Sequence, residues 1–339
     1  MSDTVTAADT RQGPEAPRIN GTDFLTAQAA NRRNTWVLII LLILLGFVLG
    51  YLIGWTVETW SAGAYEPVDL LALSGMGILG GVILSGIGLV SSAVTLFAGD
   101  RVIMALTGAQ EVSAETEPVL HNVVEEMAIA AGLPKPRVAL IESEALNAFA
   151  TGMRADKATI GVTRGLLTAL NREQLQAVVA HEMGHVLNLD TRYMAAVGIM
   201  VGLIALVSDM ALRSLRFGGR SRSSGKKGGG AVIVLVILVL FAILAPIAAQ
   251  MVRFAVSRQR EFLADATSVQ LTRNPQGLIG ALKVLDGAGK APEIGNRATQ
   301  HIFIVNPVRD FASGSHALFA THPSIEERIE RLANLGRES

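Results

Sequence analysis

Cysteine is absent from this chain of 339 residues, which excludes disulfides, thiolate zinc fingers, iron–sulfur clusters and cysteine nucleophiles. Any metal ion must therefore be held by histidine and carboxylate. Aromatic residues make up only 5% and charged residues 17%, while half of the chain is hydrophobic. That is too apolar for an ordinary soluble protein, and it excludes disorder as the state of the whole chain. An excess of charge is lacking too: 29 Lys and Arg balance 29 Asp and Glu, so the composition gives no reason to expect a nucleic-acid partner.

What is present is apolar sequence in blocks. Trp36 to Trp55 is uncharged and long enough to cross a hydrocarbon core of ~30 Å as a helix. Leu70 to Ala98 is a second such run, and its Gly77, Gly81 and Ser85 stand at four-residue spacing. That spacing suits close helix packing, although glycine is also simply tolerated in membrane helices. Tyr193 to Leu212, interrupted by Asp209, and Ala231 to Val252, with Pro246 as an expected kink, are the third and fourth runs. The first run is too long, and the polar stretch before it too extended, for a cleaved signal peptide, so it reads as a signal anchor.

The expected organisation is a disordered cytoplasmic tail over 1–34, a transmembrane hairpin over 35–98, and a first soluble part over 99–192. A second apolar hairpin over 193–252 and a second soluble part over 253–339 follow. Arg11, Arg18, Arg32 and Arg33 precede the first run, the loop from Thr56 to Asp69 has no basic residue, and Arg101 follows the second run. The positive-inside rule then places the tail and the segment that begins after Ala98 on the cytoplasmic side. The basic loop over 213–230, with Arg213, Arg216, Arg220, Arg222, Lys226 and Lys227, opposes that rule if both flanking runs span fully. The second hairpin therefore either overrides the rule or enters the membrane only in part.

Between the hairpins, Pro118 to Ala131 carries Leu120, Val123, Val124 and Met127 on one helical face, and Gly132-Leu133-Pro134 ends it. Strands are expected at 137–141, 146–150 and 158–162. Asn171, with Gln174 three residues on, opens a further helix through a capping box. That helix contains His181-Glu182-Met183-Gly184-His185. Histidines four apart share a helix face and can bind one metal ion together, and Glu182 between them can take a proton from a water in an open coordination position. The extended metzincin form needs Gly and His where Asn188 and Thr191 stand, so the third ligand must come from elsewhere. Glu261 and Asp265, also four apart, follow the fourth apolar run. Spacing alone leaves two readings: a ligand with an orienting carboxylate, or a solvated face on which Arg258 pairs with Glu261.

These motifs in this order resemble the membrane-bound zinc metalloproteases of the HtpX type in peptidase family M48, which also includes the CAAX-prenyl endoproteases. The resemblance extends through Asn147-Ala148-Phe149-Ala150-Thr151-Gly152, Ala180 to His185, Ser257 to Ala266 and Thr321-His322-Pro323. It implies a mainly α membrane protein with a small β-sheet, two transmembrane hairpins and a gluzincin-type α+β catalytic domain. One Zn2+ per chain would be held by His181, His185 and Glu261, with Asp265 behind a ligand histidine and Glu182 as general base. By the same resemblance His322 would donate to the oxyanion, Arg328 would support the site electrostatically, and Asn147 to Gly152 would be an edge strand that pairs with substrate backbone. His121, His301 and His316 match no motif.

The implied activity is zinc-dependent endoproteolysis of unfolded, misfolded or damaged membrane proteins on the cytoplasmic side of the bilayer, in quality control under stress. A narrower processing protease of the CAAX type is an alternative. An intramembrane protease would carry its zinc helix inside a span, yet this helix begins with Arg172, Glu173, Gln174 and Gln176. A non-catalytic scaffold would be expected to have lost Glu182 or a ligand.

Overall fold

The computed structural model describes residues 21–62, 73–198, 258–287 and 323–335. Two long helices come first, α1 (Gly21–Ala62) and α2 (Gly75–Thr107). Each contains a stretch long and apolar enough to cross a membrane, Thr26–Trp55 and Gly75–Val94. Large apolar side chains such as Trp36, Ile40, Leu44, Val82 and Val90 stand exposed along both, the surface that a lipid environment would cover. Ser74 caps α2 by accepting from the Gly77 N–H, and Gly108, at φ 71°, ends it in the left-handed region.

Glycine decides how these helices meet. A Cβ on Gly50 would lie 2.1 Å from the Gly80 carbonyl oxygen, and one on Gly54 would lie 2.0 Å from that of Met76. The backbones therefore touch along a row that only glycine permits. Gly77 and Gly81 do pack, against the Tyr51 and Phe47 rings, and Ser85 donates to the Ile43 carbonyl. The tightest approaches, however, are Gly54 on Met76 and Gly50 on Gly80.

The helix α1 begins at Gly21, so residues 21–34 are not the disordered tail expected of them. The stretch lacks an apolar stripe because its partner is polar. Gln28 donates to the Leu187 carbonyl at 2.7 Å and Asn31 to the Asn188 carbonyl at 2.9 Å. Residues 1–20, the loop over 63–72, the run over 199–252 with Asp209 and the basic loop 213–230, His301, His316 and His322 lie outside the described residues.

The remaining elements form a helical layer around a small sheet. They are β1 (Gln110–Glu111), α3 (Pro118–Ala131), β2 (Arg137–Ile141), β3 (Ala148–Thr151), β4 (Thr159–Thr163), α4 (Arg164–Ala169) and α5 (Arg172–Leu187). After these come α6 (190–198, running to the limit of the described segment), α7 (Arg258–Thr272), α8 (Pro275–Gly287) and α9 (Ile325–Leu335). Strand order is β1-β2-β4-β3; β2 and β4 are parallel and the other two pairs antiparallel. The second and third expected strands sit one or two residues later than read from sequence.

The core joins Leu120, Val123 and Met127 of α3 to Val138 and Leu140 of β2, Ile160 and Val162 of β4, Val178 and Met183 of α5, and Leu278 and Leu282 of α8. With neighbours on every side, α5 is buried continuously from Ala177 to Val186, which explains why its apolar residues are not confined to one stripe. Among the described residues β3 is an edge strand. Its Phe149 ring covers Gly161 of β4, where a Cβ would come within 2.2 Å of the ring. His121 is structural: its Nε2 lies 2.9 Å from the Val112 carbonyl oxygen.

Candidate metal centre

The helix α5 is started by Asn171, whose side chain accepts from the Gln174 N–H while the Gln174 side chain accepts from the Asn171 N–H. This capping box sets the register that turns His181, Glu182 and His185 inward. Alongside runs α7, presenting Glu261, Ala264, Asp265 and Ser268 at i, i+3, i+4 and i+7. The two backbones come close at Gly184, where a Cβ would meet the Ala264 Cα at 3.2 Å. Ser268 fastens the other end by donating to the Ala177 carbonyl at 2.7 Å. Gly184, between the two histidines, thus lets the carboxylate helix approach near enough for Glu261 to join them.

The result is a compact donor set. Ligand atoms of His181, His185 and Glu261 all lie within 4.8 Å of one another. Glu261 oxygens stand 3.7 Å from His181 Nε2 and 3.8 Å from His185 Nε2, and the two imidazoles are perpendicular. His181 Nε2 is buried and makes no hydrogen bond to the described protein. A buried, unsatisfied imidazole nitrogen is costly unless something binds it. Two imidazoles and one carboxylate are the donors of an open zinc site of the His₂Glu kind, so the residues present fit zinc.

Each histidine is fixed from behind. His181 Nδ1 donates to Asp265 at 2.9 Å, which leaves Nε2 as the lone-pair nitrogen. Arg328, from α9 and itself buried, holds Asp265 by two hydrogen bonds of 2.9 and 2.5 Å. His185 Nδ1 donates to Asp190 at 3.0 Å. Asp190 is the first residue of α6, and Leu189 before it adopts φ 58°, which turns the chain back toward α5.

The electrostatics follow from burial and these partners. Burial lowers the His181 pKa, so this imidazole is neutral. For His185 burial acts downward as well, but the Asp190 hydrogen bond and the charges of Glu261, Asp190 and Glu182 outweigh it and raise its pKa to about 9. Burial raises Glu182 to about 7. Burial pushes Asp265 upward, yet Arg328 and His181 more than offset this and hold it below the ordinary carboxylate range.

A pH dependence of metal loading results. At neutral pH the metal-free site carries a proton on His185 that a cation must displace. Because the pKa of His185 is raised, its protonated form competes at every pH below about 9. Apparent zinc affinity should therefore rise by about tenfold per pH unit from 7 upward and level off above about 9. Competition against a chelator of known proton linkage measures this, and a flat profile between pH 7 and 9 would refute it.

Glu182, the expected base, lies beside the donor set and faces the sheet edge, where Ala150 of β3 gives it a backbone hydrogen bond. Asn147 exchanges backbone contacts with Thr163, whose N–H donates to the Asn147 carbonyl at 3.0 Å. Antiparallel alternation then turns the backbone groups of Ala148 and Ala150 away from β4, toward the open edge. Gly152, at φ 134°, ends the strand, and its carbonyl accepts from Thr191 Oγ1 at 2.7 Å.

The structure therefore brings together His181, Glu182, His185, Glu261, Asp265, Arg328 and the 147–152 segment. Arg328 pairs with Asp265, and its Nη1 also stands 3.8 Å from Glu261 Oε2. Two functional neighbours were not found by sequence reasoning, Asp190 and Asn31. Asp190 had a signal, an acidic residue five places after the second histidine and just past the helix end. Asn31 had none.

The peptidase family M48 model matches residues 114–335. The chain is 40% identical over 309 residues to a protein named Protease HtpX homolog from Thermoanaerobacter pseudethanolicus, covering 91% of this chain and 96% of that one. A Protease HtpX homolog of Streptococcus pneumoniae (strain Hungary19A-6) is 41% identical over 311 residues, with 91% and 98% covered. A crystal structure of S. mikatae Ste24p aligns with a TM-score of 0.45 at 16% identity, over 91% of this chain and 67% of that one.

Proposed function

The chain belongs to peptidase family M48, as a protease of the HtpX type, and from that premise we propose that it is a membrane-bound zinc endopeptidase. Its substrates are misfolded or damaged membrane proteins, cut on the cytoplasmic side in envelope quality control, and its site is the His181, His185, Glu261 centre with Glu182. The gluzincin-type arrangement of catalytic domain and two hairpins goes with this reading. The observation that carries it is the placement of Glu182 between a zinc-compatible donor set and an open strand edge.

Bound zinc would supply a Lewis acid for the scissile carbonyl and for the attacking water. The protein's own groups do the rest. An extended substrate adds to the free edge of β3 at Ala148 and Ala150, through main-chain hydrogen bonds that read no side chain and so admit many sequences. Asn147, Phe149, Thr151 and Gly152 hold that edge in place. Glu182 takes the water proton and returns it to the leaving amine. His322 donates to the oxyanion, a contribution of about 3–4 kcal/mol for a well-placed donor.

Purified in detergent, stripped of metal and then reloaded, the protein should cleave an unfolded substrate such as casein with zinc and not without it. Stoichiometric zinc without cleavage of any unfolded protein would overturn the quality-control reading.

A further inference from the structure

Asn31 sits on α1 five residues before the first uncharged apolar run, yet it is only 3% exposed and touches the back of the metal centre. Its Nδ2 donates to Asp190 Oδ1 at 2.7 Å and to the Asn188 carbonyl at 2.9 Å. The other oxygen of the same carboxylate, Asp190 Oδ2, accepts from His185 Nδ1 at 3.0 Å. We propose that Asn31 is a positioning residue for the metal centre: through Asp190 it sets the orientation of the His185 imidazole, so the first apolar helix is a working part of the site.

Asp190 is 1% exposed, and a buried carboxylate needs donors on both oxygens. Oδ2 is engaged by His185. On Oδ1, Asn31 makes the short contact, while Arg260 of α7, stacked over the Tyr193 ring, reaches it with Nε at 3.3 Å. The second Asn31 bond fixes the carbonyl of Asn188, the residue just before Leu189 with its positive φ. One amide thus pins both the turn that delivers Asp190 and the carboxylate itself. Without it, Oδ1 retains, among the described residues, the longer Arg260 contact, and the strained turn loses its brace. A metal ligand is as well oriented as the carboxylate behind it.

The inference rests on His185 being a zinc ligand, and zinc affinity of the full chain in detergent, measured by chelator competition, tests the two separately. Wild type should bind one zinc, and its failure to do so would sink both. Asp190→Ala should weaken binding by about 10–100-fold. Asn31→Ala should weaken it by about tenfold, and the double variant should be no worse than Asp190→Ala alone, because Asn31 acts through that carboxylate. Gln28→Ala removes a neighbouring bond from α1 to the Leu187 carbonyl without touching Asp190, and should leave zinc affinity unchanged. Asn31→Asp, of the same size but with no donor when ionised, should repeat the loss if Asn31→Ala folds poorly. Wild-type affinity in both Asn31 variants would overturn the proposal. So would an equal loss in Gln28→Ala, or an Asn31→Ala effect that adds in full to Asp190→Ala.

Discussion

Glu182→Gln should reduce peptide-bond cleavage by about 10²–10⁴-fold, the usual worth of a positioned acid–base group, while zinc stays bound at the wild-type stoichiometry. Glutamine has the shape of the acid and keeps a carbonyl oxygen for the Ala150 hydrogen bond, so the helix and the edge strand have no cause to move. What is lost is the exchangeable proton. Glu182 is 2% exposed, and burial, aided by the charge of Glu261 and opposed by His185 and Arg328, brings its pKa to about 7. A buried carboxylate beside the donor set is placed to take a proton and return it. Single-turnover cleavage with a metal assay on the same sample checks this. Turnover near wild type in the glutamine variant would remove Glu182 from the mechanism.

Arg328→Met should be the most damaging change to stability among the site residues. The guanidinium is 1% exposed and neutralises Asp265, also buried, through two hydrogen bonds. Its loss strands a carboxylate in the interior, at a cost of about 3–5 kcal/mol. Pairing the change with Asp265→Asn separates charge from packing. With the Asp265 charge removed, the double variant should regain part of the unfolding free energy of the metal-free protein, the rest being lost with the cation that stands 3.8 Å from Glu261. It should still bind zinc weakly, because His181 Nδ1 then faces a poorer acceptor. Denaturant unfolding alongside zinc competition reads both quantities. A mild single-variant effect, or a double variant no more stable than the single, would show that Arg328 does not act by neutralising Asp265.

The parts of the site legible in sequence were those with local rules. The capping box at Asn171 and Gln174 announced where α5 starts, and the four-residue spacing of His181 and His185 then fixed their shared face. Likewise, Pro118 and Gly132 bracketed α3 at the observed ends. Spacing alone could not choose between ligand and surface for Glu261, because the answer depends on α7 meeting α5 at Gly184, a contact between segments far apart in the chain. Asn31 was hidden for a related reason. Helix signals in sequence are mostly apolar periodicity, and residues 21–34 are ordered instead by polar contacts to the end of α5. The glycine row was half visible: Gly77 and Gly81 have the right spacing, but only the facing helix reveals that the closest approaches are Gly54 on Met76 and Gly50 on Gly80.

That glycine row also sets a distance. Helices whose backbones touch at Gly50 and Gly80, with no side chain between them, pack together as one rod. The rod continues without a break from Trp55 back to Asn31, which grips the turn behind His185. At 1.5 Å per residue, Asn31 lies only about 8 Å below Trp36, where the apolar run starts. On the proposed function, a metal centre tied to this helix would be held at a fixed depth relative to the bilayer, as on a depth gauge. A chain threaded out of the membrane would be cut at a set number of residues from its last buried position, whatever its sequence.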